Sequence, residues 1–238
     1  MEKIKDKKIL LAGATGTIGS ATADLLYSSG ANLYLTGRNR DKLNTLAQKY
    51  QIPEDHIFPA DLSKEEEVAH MAGRIHAQVG ALDTLINASG IGIIKPLEQL
   101  TTADFMETIQ VNLVAPFLLL RHFLPPMKEQ KKGLIIHIPG VLGKTPMAGA
   151  GAYAASKYGL NGMLKSLREE LKRTDIRITQ LFLGGTDSHF WDTIDLKVQR
   201  EKMITGEEAA KAIWFLCQQP SSAVVSEMVV QPFNHQAI

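Results

Sequence analysis

The chain has 238 residues, 45% of them hydrophobic and 21% charged, enough to bury one large core or two small ones. Its 26 basic residues nearly balance 25 acidic ones, and a formal charge of +1 sets up no global field for nucleic acid or an anionic membrane. No run approaches the roughly 20 consecutive apolar residues of a membrane span, so no membrane partner is expected. The basic start MEKIKDKK reads as a solvated flank without a signal-like apolar core and cleavage site. Cys217, the only cysteine, cannot form an internal disulfide, and its apolar setting AAKAIWFLC predicts a buried thiol. One domain over residues 1–238 in a reducing, cytoplasmic setting is the expectation, because no linker or low-complexity tract interrupts the chain.

Short β-rich runs alternate with longer segments of helical period along almost the whole length. In chain order the strands are predicted at KKILLAG, ANLYLTG, HIFPAD, LDTLINASG, GLIIHI, IRITQLFLG and AVVSEMVVQP. Between them, helices are predicted at SATADLLYSSG, RDKLNTLAQKY, KEEEVAHMAGRIHAQVG, TADFMETIQVNLVAPFLLLRHFLPPM, YAASKYGLNGMLKSLREELKR and GEEAAKAIWFLCQQ. Parallel strands need right-handed crossovers and cover on both faces. The pattern therefore predicts an α/β, Rossmann-like, doubly wound fold with a seven-stranded, mostly parallel sheet and helices on both faces. Ligands in such folds collect at the carboxyl ends of the strands.

The first such end carries Gly13-Ala-Thr-Gly16-Thr-Ile-Gly19, with Thr15, Thr17 and Ile18 in the same turn. Glycines there let backbone N–H groups approach a pyrophosphate at the positive end of a helix. They also serve a tight turn with close helix packing, but the position after the first strand favours binding. The second strand end reads Leu35-Thr36-Gly37-Arg38-Asn39-Arg40, with no carboxylate before Asp41 to hydrogen-bond a ribose diol. A cation at a helix start is unfavourable unless it meets an anion, so Arg38, with Asn39 beside it, points to the 2′-phosphate of NADP rather than to NAD.

Taken together with later motifs, these residues resemble the short-chain dehydrogenase/reductase family, from the first strand to about residue 215. The family's glycine motif is matched by Gly13, Gly16 and Gly19, its adenine-contacting Asp by Asp61, followed by Leu62, and its N-N-A-G by Asn87, Ala88, Ser89 and Gly90. Its Asn is matched by Asn112 and its Y-x-x-x-K by Tyr153 and Lys157. Its P-G-x-x-x-T is echoed after the sixth strand by Gly184, Thr186 and Ser188, which the resemblance places on the cofactor. It implies hydride transfer between NADP(H) and a carbonyl or alcohol, with Tyr153 as proton donor and acceptor. A phenol with a pKa near 10 is a poor proton source unless its anion is stabilised, and a lysine one helical turn away supplies that cation. The resemblance further implies that Lys157 holds the nicotinamide ribose and that Asn112 holds a water extending the proton path. The plainer readings are a half-buried aromatic for Tyr153 and a satisfied core amide for Asn112.

Ala12, Ala88, Leu183 and the ending QPFNHQAI depart from the family pattern in backbone-shaping positions. A fifth departure falls on the chemistry. The family serine that donates to the substrate oxygen stands 13 residues before the tyrosine, at Gly140, which has no side chain to donate. Losing one such donor typically costs about 10²- to 10³-fold in rate. Three explanations stay open: another group polarises the substrate, among them Ser188, His189, Thr145, a water or the substrate itself; the Gly140 N–H donates instead; or the protein binds NADP(H) and a ligand with little or no turnover.

The segment 185–204 lies between the sixth strand and the last helix and is expected to act as a lid, with His189, Phe190 and Trp191, together with Met147, toward the substrate and Asp192 and Asp195 facing out. An ordinary surface helix anchored by Phe190 and Trp191 is the alternative. A mostly apolar pocket suits a small apolar carbonyl or alcohol compound. No metal-ligand spacing is present, and His137 in LIIHI reads as a core histidine. A homotetramer or homodimer built on the helices carrying Asn112 and Tyr153 is expected, with Gly159 and Gly162 permitting close helix approach.

Overall fold

The computed structural model describes residues 2–194 and 196–234. Seven strands form one sheet in the order β3-β2-β1-β4-β5-β6-β7, and every pairing is parallel. They are β1 Lys8–Ala12, β2 Asn32–Gly37, β3 Ile57–Pro59, β4 Thr84–Asn87, β5 Lys132–His137, β6 Asp175–Leu183 and β7 Glu227–Val230. The helices are α1 Thr17–Ser28, α2 Arg40–Lys49, α3 Glu65–Val79, α4 Thr102–Ile109, α5 Ala115–Glu129, α6 Gly151–Leu171 and α7 Gly206–Leu216. All seven predicted strands are present.

The strands are largely apolar because both faces are covered, and their period of two divides the core. Leu10, Tyr34, Leu85, Ile135 and Ile178 face α3, α5 and α6, where they meet Met71, Ile75, Leu119, Phe123 and Leu164. The intervening residues Ile9, Leu11, Leu35, Ile86, Ile136 and Leu181 face α1, α2 and α7, where they meet Leu26, Leu43 and Ile213. Cys217 is buried in the second layer, as its apolar setting predicts.

One predicted helix is divided. Residues 102–127 were expected to be continuous, but a π turn at Gln110–Val114 separates α4 from α5. Asn112 in this turn is buried, and its side-chain amide bonds Ile91 and Ser156. The whole stretch Thr102–Glu129 has a mean hydropathy of 1.3 over its most apolar window, a length and composition that a membrane span would share. A count of consecutive apolar residues passes over it. Its Leu118, Leu119, Phe123 and Met127 are packed into the core of this fold.

Candidate active site

The order of the sheet reverses between β1 and β4, and the crevice at their carboxyl ends is where the glycine turn sits. The turn is fitted closely to its surroundings. A Cβ on Gly19 would lie 2.1 Å from Gly13 O, and one on Gly13 would lie 2.7 Å from Ser89 N. This packing brings the N-terminus of α1 onto the end of β4, with Gly16, Thr17 and Ile18 lining the cleft and Gly13 and Gly19 beneath them. The Thr15 hydroxyl lies against Gly37 at the end of β2, 3.3 Å from where a Cβ on that glycine would stand. Arg38 follows, exposed and without a carboxylate partner within salt-bridge distance among the described residues. Asn39 takes a structural role, since its Oδ1 accepts from Lys42 N at 2.9 Å and caps α2.

Asp61 and Leu62 follow β3 on the same edge, with Asp61 Oδ1 accepting from Ser63 N and Oγ at 3.0 and 2.7 Å. On β4, buried Asn87 accepts from Ser89 N and Oγ at 3.0 and 2.6 Å. That bond shapes the turn in which Ala88, Ser89 and Gly90 line the cleft. Asn87 Nδ2 also lies 3.3 Å from Nδ1 of His137, the next residue across the sheet. His137 is buried, and burial together with the nearby Lys157 charge lowers its pKa to about 3, which keeps it neutral as a core histidine should be.

The proton-handling residues converge from three elements. Lys157, on α6, is buried and donates to Ile138 O at 3.2 Å. Burial lowers its pKa to about 8. Tyr153, one turn earlier, has its ring centroid 5.4 Å from Lys157 Nζ, and burial pushes its phenol well above the ordinary range. Asn112 accepts from Ile91 N at 2.9 Å and donates to Ile91 O at 2.9 Å and Ser156 Oγ at 3.1 Å. Ser156 in turn donates to Tyr153 O at 2.7 Å. The Asn112 carboxamide is thus committed to the loop after β4 and to α6.

Gly140 adopts φ +71 and ψ 166, a region essentially closed to residues with a side chain. A Cβ built there meets nothing closer than Leu183 O at 3.5 Å and Tyr153 Oη at 3.8 Å. The space for a serine exists, but the backbone of this turn does not accept one without a strain of about 1–3 kcal/mol.

Residues 185–204 lie over the carboxyl edge as two short 3₁₀ turns, His189–Thr193 and Arg200–Lys202, and not as a surface helix. Phe190 stands edge-on to Tyr153 with ring centroids 5.5 Å apart, and against Trp191 at 5.0 Å. It occupies the room left by Gly92, where a Cβ would fall 2.1 Å from the ring. Trp191 Nε1 donates to Thr186 O. His189 is at the mouth of the cleft, its imidazole turned to Asp192 at 2.7 Å and largely solvent-exposed. Asp195 and residues 235–238, the end of QPFNHQAI, lie outside the described residues.

The resulting cleft, about 900 Å³, joins the glycine turn to Gly140, Met147, Tyr153, Lys157, Gly184, Thr186, Ser188, Phe190 and Trp191. Thr15, Arg38, Asn39, Asp61 and Leu62 lie on the edge beyond it, and Asn87 and Asn112 lie beneath it. Sequence reasoning missed Ile91, Gly92, Ser156 and Arg200. A lone glycine after a strand end was the available signal for Gly92. Nothing local marks Arg200, which donates to Asp187 at 2.6 Å, Asp192 at 2.7 Å and Ser188 O at 3.0 Å.

A parallel sheet with this strand order and a glycine turn at its switch point defines a Rossmann-type dinucleotide-binding protein. The family model described as short chain dehydrogenase matches residues 7–199, and the chain belongs to that oxidoreductase family. Nodulation protein G of Rhizobium sp. (strain N33) is 31% identical over 237 residues, which cover 96% of each protein. Among solved structures, a metagenomic short-chain oxidoreductase in complex with NADP superimposes with a TM-score of 0.82 at 32% identity, covering 96% of this chain and 98% of that one. An alcohol dehydrogenase of the archaeon Thermococcus sibiricus, complexed with 5-hydroxy-NADP, gives 0.87 at 25% identity, covering 98% and 100%.

Proposed function

We propose that this protein is an NADP(H)-dependent oxidoreductase that interconverts a carbonyl and an alcohol. The observation that carries the reading is the meeting, in one cleft, of the glycine turn with half-buried Tyr153 and buried Lys157. The cradle fits the cofactor. Its glycines leave no room for side chains between α1 and β4, its helix N-terminus suits a pyrophosphate, and Arg38 with Thr15 supplies a cation and a hydroxyl for a 2′-phosphate. The NADP complexes of two structural neighbours support the same preference. Asn39 and Asp61 act mainly on the local backbone, while Gly184, Thr186 and Ser188 face the nicotinamide half of the cleft.

Bound NADPH supplies a hydride, and with it two electrons, to the carbonyl carbon, and is left as NADP⁺. The former C=O π pair takes the phenolic proton of Tyr153, so atoms and charge balance as an alcohol forms. Lys157, one helical turn on, stabilises the phenolate, which makes Tyr153 a better proton donor to the reacting oxygen. Asn112 holds the Gly90–Ile91 loop and α6 at a constant distance, which aligns the tyrosine. Phe190, Trp191 and the rest of residues 185–204 cover the site and exclude water. Ile91, Met147, Phe190 and Trp191 in the lining suit a small apolar carbonyl compound.

Gly140 favours a second reading, an NADP(H)-binding protein with little turnover, because the usual second donor is missing. The two readings separate on NADPH oxidation with a panel of ketones, β-ketoacyl thioesters and quinones. Wild type is expected to turn over at least one of them, and Tyr153→Phe is expected to lose about 10²-fold or more of that rate. NADPH binding, followed by fluorescence, is expected to survive in the variant and to exceed NADH binding in both. Equal turnover by wild type and Tyr153→Phe would overturn the oxidoreductase reading.

A further inference from the structure

The backbone that closes Gly140 to a side chain uncovers an acceptor. Leu183 ends β6, while β5 stops at His137, opposite Gln180. Continuing that register brings Gly140 opposite Leu183, yet Pro139 has no N–H and the chain turns away at Gly140. On the other side Gly184 N donates to Val230 O at 2.8 Å. The two halves of one peptide point in opposite directions in a strand, so Leu183 O is turned from β7 toward the Gly140 side. There it accepts no hydrogen bond among the described residues. A point one bond out from Gly140 lies 3.5 Å from Leu183 O and 3.8 Å from Tyr153 Oη, so the carbonyl and the phenol flank the same small space.

A site with two hydroxyl donors is suited to a bare ketone oxygen. Here one side offers a donor, Tyr153 Oη, and the other an acceptor, Leu183 O, in a cleft whose lining includes the apolar Ile91, Val141, Leu142, Met147 and Phe190. A bare ketone would bury Leu183 O without a partner when the lid covers it, at the cost of an unpaired buried carbonyl. We propose that the substrate carries a hydroxyl on the carbon next to the reacting carbonyl, and that this hydroxyl fills the space over Gly140 and donates to Leu183 O. The reacting oxygen accepts from Tyr153, as in the proposed function on which this inference rests. The neighbouring hydroxyl makes and breaks no covalent bond, so the balance of the step is unchanged, and the product of reduction is a vicinal diol with apolar substituents.

The test uses three ketones of equal chain length with hydrogen, hydroxyl or methoxy on the adjacent carbon. With NADPH and the whole protein, the hydroxyketone is expected to exceed both others in kcat/KM by at least about tenfold, the scale of one matched hydrogen bond. The methoxy compound has the size and an acceptor but no donor, so it separates hydrogen bonding from bulk. In parallel, thermal shift of the NADP⁺ complex is read with the corresponding vicinal diol, its monomethyl ether and the mono-alcohol, and the diol is expected to bind about tenfold more tightly than either. Equal values for hydroxyl and hydrogen, or for hydroxyl and methoxy, overturn the inference and leave the oxidoreductase reading standing. If no ketone turns over and Tyr153→Phe changes nothing, the oxidoreductase reading fails, and the diol comparison alone decides what the space over Gly140 accepts.

Discussion

Lys157 shows how far burial alters what a side chain can do. In sequence it is a cation one turn from a tyrosine; in the fold it is buried, held by Ile138 O, and titrates at about 8 where 10.5 is ordinary. The lowered pKa makes the sign of its pH dependence explicit. Below pH 8 the side chain is charged in both folded and unfolded chains, and burying that charge costs stability. Between 8 and 10.5 the folded chain gives up its proton first, so the cost is relieved as pH rises. Catalysis runs the opposite way, because the charged form supports proton delivery by Tyr153. NADPH-linked reduction should therefore hold steady below about pH 8 and decline above it, and Lys157→Met should lower the plateau and remove the inflection; a kcat/KM profile against pH checks both. Gly140 carries the other residue-scale lesson. Its lack of a hydroxyl is legible in the sequence, but its left-handed backbone is not, because φ there is set by the way β5 ends beside β6.

Between residues and fold, the segment 185–204, proposed above to cover the site, is the element with its own device. Its two 3₁₀ turns are joined by Arg200, whose guanidinium reaches Asp187, Asp192 and Ser188 O, while Met203 packs at Gly185 and Ile204 pairs with Thr186. Each ion pair is substantially exposed and by itself adds little to stability. Their value lies in holding Phe190 over Tyr153 and Gly92. Arg200→Ala is expected to raise the KM of the carbonyl substrate several-fold while the melting temperature moves by only a few degrees and NADPH affinity is kept; steady-state kinetics with thermal melting checks this. The π turn between α4 and α5 belongs to the same scale. A continuous helix was the natural reading of residues 102–127, since nothing local in QVNLV announces an extra residue in the ladder. The turn goes with the three hydrogen bonds that Asn112 makes to two residues on other elements, Ile91 and Ser156.

For the whole molecule, we propose a homodimer or homotetramer whose contact includes α4, α5 and α6. Phe105, Met106, Phe117 and Tyr158 are exposed there, and Leu97, just before α4, is 78% exposed. An apolar surface of this kind marks a partner. Gly162 leaves open space on α6, whereas Gly159 is already filled by Leu113 of the same chain, so only one of the two glycines is available for a close approach by a second copy. Light scattering is expected to return a multiple of 26.1 kDa at micromolar concentration, and Phe105→Glu combined with Met106→Glu is expected to lower it without unfolding the chain.

What the sequence by itself determined is the alternation of strands and helices, the glycine turn at the first strand end and the one-turn spacing of Tyr153 and Lys157. Each is written within a short stretch of chain, where period, turn chemistry and helical geometry decide the outcome. Only the tertiary structure decided that Asn112 spends its amide on Ile91 and Ser156, that Asn39 caps a helix, that Arg200 ties the lid, and that Leu183 O faces the space over Gly140. Those facts depend on which distant strand ends lie side by side and where one of them stops, and a hydrogen bond between remote elements leaves no period in the chain.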